Sequence, residues 1–178
     1  MNNLEALKYP IGRCQYPEVY TPELIRSYML AIETFPKRLE LAVQSLDQST
    51  LNQCYREGGW TLNQVIHHCA DSHMNMLIRL KLTLTEDNPI IKPYDEAEWA
   101  IQADFDLPFN NAITLLYCVH ARIMAILRAL KPEQLIRKYF HPQYDREFTL
   151  NDLLCLYAWH GDHHLAHITS FLTRQNQA

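Results

Sequence analysis

Residues 149–172 read TLNDLLCLYAWHGDHHLAHITSFL, and this stretch decides the fold. Thr149 followed three residues later by Asp152 is a capping-box pattern, a hydroxyl and an acid that can close a helix N-terminus between them. Leu153, Leu154, Tyr157, His160, His164, Ile168 and Leu172 then recur at steps of three and four, the period of an amphipathic helix. His160 and His164 continue the apolar stripe, so they are expected to face the interior. His163 and His167 fall further round, towards its margin. Histidines four apart project from one helix face about 6 Å apart along the axis, close enough for two imidazoles to share one metal ion.

Three more segments share this character. The first opens at Thr21-Pro22-Glu23, with a hydroxyl cap, a proline in the first turn and an acid behind it. Its stripe runs from Leu24 through Ile32, Phe35 and Leu39 to Leu46, with Pro36 expected to kink or split it. The second opens at the capping box Thr61-Leu62-Asn63-Gln64 and carries Val65, Ile66, Cys69, His73, Met76 and Leu80. The third covers about residues 108–130. The connection over residues 85–107 is long enough to carry structure of its own, with a short helix expected at residues 95–100. Residues 139–141 and 146–148, flanking 142–145, are expected to pair as a small hairpin. Four amphipathic segments in one 178-residue chain predict an all-α fold, a single four-helix-bundle domain over residues 1–178. With only four glycines, a turn-rich sandwich or barrel is disfavoured.

The formal net charge is −4 with no basic stripe, which argues against nucleic acid or an anionic membrane as partner. The N-terminus lacks the pattern of a signal peptide, and no stretch is expected to span a bilayer. Five scattered cysteines without a CxxC pair indicate neither a disulfide framework nor a thiolate metal site. Cys69, Cys118 and Cys155 stand in apolar runs, where cysteine serves as a small hydrophobe. The expected setting is the cytoplasm.

The chain holds nine histidines, and their placement is more informative than their number. A metal held by His160 and His164 needs a third ligand from a facing helix, and residues 67–73, HHCADSH, offer three. His67 points away from the stripe and is expected to be solvated. His73 lies near mid-stripe and His68 at its edge, so periodicity ranks His73 slightly ahead without deciding between them. Among candidate general bases, Asp71 and Asp162 are close in sequence to the ligands but are expected to point away from the stripe, while Glu57, Asp95 and Glu96 lie in loops that could close over the bundle mouth, and nothing in the sequence chooses among them.

Several segments together resemble the DinB/YfiT superfamily of helical bundles, and within it the YfiT-like metal-dependent hydrolases. They are YPIG at residues 9–12, YREGGWT at 55–61, HHCADSHMN at 67–75, RLKLTLTED at 79–87, PYDEAEW at 93–99 and YAWHGDHHLAHI at 157–168. In that family a metal-ligating histidine follows the GGW tryptophan by eight residues. Counted from Trp60, that is His68, against the periodicity ranking. The other two family ligands are the HxxxH pair of the last helix, here His160 and His164. Leu165-Ala166-His167 stands where the wider superfamily often has Arg-Gly-Gln, so any role of that segment is not carried over. The resemblance implies one zinc or nickel ion per chain and a homodimer. Trp159, about half a turn from the last helix's stripe, is a candidate interface residue.

A site of three histidines leaves a coordination position open, the layout of a catalytic centre. The first expectation is metal-dependent hydrolysis of a small molecule, the catalytic base being unknown. The alternatives are a transferase that activates a low-molecular-weight thiol on the same metal, and a non-catalytic metal-binding protein.

Overall fold

The local signals in the sequence are met first in the caps. In a computed structural model describing residues 3–177, the side chains of Thr21, Thr61 and Thr149 each accept a backbone N–H at the start of a long helix. At Thr61 and Thr149 the capping box is complete in both directions. Each such cap contributes about 1 kcal/mol. In chain order the helices are α1 (Asn3–Lys8), α2 (Pro22–Val43), α3 (Gln48–Leu51), α4 (Leu62–Thr85), α5 (Glu96–Trp99), α6 (Phe109–Ala129) and α7 (Leu150–Gln175). The expected hairpin is present as β1 (Lys138–His141) paired antiparallel with β2 (Arg146–Thr149), Tyr139 opposite Phe148. Asp145, in the left-handed region at φ 47°, closes its turn.

The four long helices form a bundle with an uncommon neighbour order. α2 packs on α6 and α7, and α4 packs on the same two helices. Helices α2 and α4 are successive long helices in the chain, yet they face each other across the bundle diagonal, as do α6 and α7. The two diagonal crossings are made by residues 44–61, which carry α3, and residues 130–149, which carry the hairpin, while the connection that carries α5 joins the adjacent α4 and α6.

Pro36 neither splits nor ends α2, which runs through it. Without an N–H, Pro36 frees the carbonyl of Ile32 four residues back. That carbonyl accepts a 2.7 Å hydrogen bond from His120 Nδ1 on α6. The defect in one helix is thus satisfied by the side chain of another. α6 is long and apolar enough to cross a membrane by length and composition, contrary to the expectation that no stretch would be. Its apolar face, including Leu116, Val119 and Ile123, is buried against α2 and α4, as a bundle helix requires.

The apolar interior falls into two clusters. One gathers Phe35, Leu39, Ile66, Cys69, Leu116 and Ile168, and the other Ile32, Met76, Leu80, Ile123, Tyr157 and Ala158. On α4 the change from one to the other falls between Ala70 and Met76, and on α7 between Ala158 and Ile168. Histidines fill that interval. Gly161 permits the close approach of α2 there, because a Cβ at that position would stand 2.9 Å from the Phe35 ring. Cys69 and Cys155 are buried as expected, whereas Cys118 is exposed on the outer side of α6.

Candidate metal centre

In the layer between the apolar clusters, α4 contributes His68 and α7 contributes His160 and His164, one turn apart. Their ring nitrogens lie within 4.8 Å of one another, and His68 Nε2 is 3.2 Å from His160 Nε2. Two nitrogens bound tetrahedrally at about 2.0–2.1 Å from one ion would stand about 3.3 Å apart. The separation of His68 and His160 matches that spacing, and His164 lies within 4.8 Å of both.

Burial keeps these rings neutral. His68 is pushed down to about 4, by burial first and by the charge of His167 second. His160, half-buried, is held well below the usual histidine range by desolvation and then by His68, and His164, buried, by desolvation and then by His160. A neutral imidazole has a lone pair to offer a metal, which an imidazolium lacks. The three rings face a cavity of about 330 Å³. Besides them it is lined by Tyr9, Ser72, Arg79, Tyr94, Glu96, His141 and Tyr157, among others.

His73 takes no part in this group. Its Nδ1 lies 2.8 Å from His120 Nε2, and its ring stacks on Phe35 and meets Tyr157 edge-on. His120 Nδ1 donates to the Ile32 carbonyl, and His120, pushed down to about 4 by burial, is neutral. Its Nε2 must then accept, and His73 Nδ1 donates to it. Periodicity placed His73 at mid-stripe correctly, but mid-stripe on α4 faces α6 as well as α7. The edge position, His68, is the one turned towards His160 and His164.

Two further placements differ from expectation. His67 is buried, because the 85–107 connection folds over it and its Nε2 donates to the Leu107 carbonyl. His163 and His167 are also buried, covered by the segment after α1. His167 Nε2 donates to the Lys8 carbonyl and its ring stacks on Tyr55, while His163 packs against Tyr9 and Trp159. These two together with His164 form a second group at metal-ligand spacing, sharing His164 with the first. Trp159 is half-buried, and its Nε1 donates to the Gly12 carbonyl of its own chain.

The candidate carboxylates separate by position. Asp162 is ion-paired to Arg38 at 2.6 Å on the side away from the cavity. Asp95 caps α5, accepting from the N–H groups of Ala97 and Glu98. Asp71 is pushed up to about 6, by burial and then by Asp104, but lies on the far side of α4 from the cavity. Glu57 follows Arg56 in the loop before α4 and is absent from the cavity wall. Of the five, Glu96 at the start of α5 is the one that lines the cavity. Its carboxyl is raised by burial, an effect opposed by Arg79. Arg79 carried no special signal in the sequence beyond its motif. Its position eleven residues after His68, three turns along the same helix face, was the clue available.

The profile of the DinB superfamily matches residues 31–168. The chain belongs to the DinB superfamily. A protein of Oceanobacillus iheyensis with the provisional name metal-dependent hydrolase is 46% identical over 169 residues, covering 95% of this chain and 98% of the relative. A Bacillus cereus protein with the same provisional name is 46% identical over 173 residues, covering 97% and 99%. Among solved structures, YfiT from Bacillus subtilis superposes with a TM-score of 0.93 at 41% identity, covering 96% of this chain and 98% of its own. YfiT is described, on the same provisional footing, as a metal-dependent hydrolase with an unusual four-helix bundle topology.

Proposed function

We propose that this DinB superfamily protein is a metal-dependent hydrolase of a small molecule, with His68, His160 and His164 as the ligands of one divalent ion. The observation that carries the reading is the convergence of three neutral imidazoles, two buried and one half-buried, on a cavity that also holds a carboxylate, Glu96. Histidine nitrogen suits zinc and nickel alike. When bound, such an ion supplies Lewis acidity for a carbonyl or phosphoryl oxygen and acidifies water at its open position.

The residues of the chain do the rest. The HxxxH spacing of α7 and the packing of α4 beside it hold the three donors without reorganisation. The apolar clusters that flank the histidine layer limit the access of bulk water to the rings. Glu96 is the general base of this reading: a carboxylate oxygen accepts the proton of the attacking water, and its raised pKa suits it to return that proton to the leaving group.

Metal-loaded protein assayed against ester, amide and phosphoester panels tests this. Hydrolysis is expected without added thiol, is lost in His164→Ala, and falls roughly a hundredfold in Glu96→Gln. Product formed only when a small thiol and an electrophile are supplied would instead assign the centre to thiol transfer.

A further inference from the structure

Arg79 is 9% exposed and takes part in none of the ion pairs among the described residues. Its hydrogen bond runs from Nη1 to Tyr157 Oη at 3.3 Å, and its buried Nε has no partner. Other arginines of this chain that reach inward are treated differently. Arg137 donates to the carbonyls of Thr83 and Glu86, Arg174 donates to that of Tyr55, and Arg38 meets Asp162. Burying a guanidinium without a carboxylate is costly, and a fold that needed only bulk at this position would do better with an apolar side chain.

The guanidinium is aimed at the centre. Helix side chains lean towards the N-terminus, which carries Arg79 back along α4 towards His68. Tyr157 Oη, to which it is bonded, itself donates to the carbonyl of Ser72, one turn from His68. Arg79 and the three clustered histidines line one cavity. Two more unpartnered polar atoms belong to residues of the same wall, Tyr94 Oη and His141 Nδ1. Burial raises the Tyr94 hydroxyl, which therefore keeps its proton, and holds His141 down to about 4. A fixed positive charge and two unsatisfied hydrogen-bonding atoms thus converge on one enclosed space. A group with several acceptor oxygens and a negative charge would satisfy them together, with the planar guanidinium suited to bind it in two-point fashion.

We propose that Arg79, Tyr94 and His141 form an oxyanion subsite beside the histidine cluster, which takes a carboxylate or phosphoryl group of the substrate. The substrate class is then a small anionic molecule, its reacting bond placed near His68, His160 and His164 while its charge rests on Arg79. This deepens the hydrolase reading and rests on it for the reaction, though not for the binding. The subsite explains why Glu96, on the same wall, does not pair with Arg79: the guanidinium is kept for the ligand.

The test is calorimetric titration of the full-length protein, metal-free and metal-loaded, with inorganic phosphate and separately with acetate, metal content being measured throughout. The metal-free form matters because an open metal position would bind either anion by itself. Saturable one-to-one binding of at least one anion to the metal-free protein is expected, weakened roughly tenfold or more in Arg79→Gln and less in Arg79→Lys. Equal affinity in Arg79→Gln and the parent, or no saturable binding of either anion, overturns the subsite. Should Arg79→Gln fail to fold, Tyr94→Phe carries the test: weaker binding supports the subsite and unchanged binding overturns it. Arg79-dependent binding in a protein that takes up no metal would leave the subsite standing and remove the hydrolase reading. A fully metal-loaded protein without Arg79-dependent binding would do the reverse.

Discussion

His73 and His68 stand on the same helix, at the same depth, and meet opposite fates. His73 pairs with His120, and that chain ends on the Ile32 carbonyl that Pro36 leaves free. Rings of Phe35 and Tyr157 close it off. His68 meets two other neutral imidazoles, His160 and His164, beside it in the wall of a cavity. The first group is a buried polar link whose hydrogen bonds hold three helices together. The second gathers three imidazoles at metal-ligand spacing and leaves Nδ1 of His160 and of His164 without a partner. A buried histidine is thus structural or chemical according to what its ring nitrogens meet, and burial by itself does not distinguish the two.

The comparison is broken most directly at the metal. Replacing His164 by Ala is expected to weaken divalent-ion binding on the order of a hundredfold or more, while His73→Leu leaves it nearly intact. Chelator competition with elemental analysis reads both. If His164→Ala kept full occupancy, or His73→Leu lost it, the division of roles drawn between the two groups would be wrong.

Acid sharpens the same contrast in the metal-free protein. His120 is held at about 4 against an ordinary value of 6.5, so between these pH values the unfolded chain binds a proton that the folded chain refuses. Its contribution is therefore complete above pH 6.5 and is lost as pH falls through 4, by about 3 kcal/mol. Urea unfolding at a series of pH values should show stability rising with pH across this window, with a shallower rise in His120→Gln. An unchanged slope in that variant would remove His120 from the account.

Smaller effects are expected where one hydrogen bond is removed. His73→Leu leaves His120 Nε2 buried without its donor and should cost about 2 kcal/mol of unfolding free energy. His67→Ala frees the Leu107 carbonyl, which Asn63 Nδ2 still approaches at 3.5 Å, and should cost about 1 kcal/mol with metal binding unchanged. Denaturant midpoints measure both, and a larger loss for His67 than for His73 would reverse the order of their structural importance.

Much of this was legible in the chain because it depends on near neighbours. A capping box is a matter of residues three apart, and an HxxxH pair of residues four apart, so Thr61, Thr149, His160 and His164 could be placed by helix geometry alone. The four long helices, the α5 turn and the hairpin follow from the same short-range rules. The resemblance of residues 55–75 to a known family selected His68, which periodicity ranked second. The choice of Glu96 among five carboxylates was not available, because it depends on where α5 lands on the bundle.

What the sequence by itself determined is the four long helices, their buried stripes and the inward pair on α7, each specified by contacts within a few residues, whereas α1 and α3 went unread. Only the tertiary structure decided which helices adjoin, and that decides which neighbour each inward side chain meets. With α2 and α4 on a diagonal, α4 presents one edge to α7 and another to α6, sending His68 to the cluster and His73 to His120. The burial of His67, His163 and His167, the cover over Trp159 and the enclosure of Arg79 arise in the same way. Each depends on a segment distant in sequence lying against a helix, and the periodicity of that helix carries no information about what will cover it.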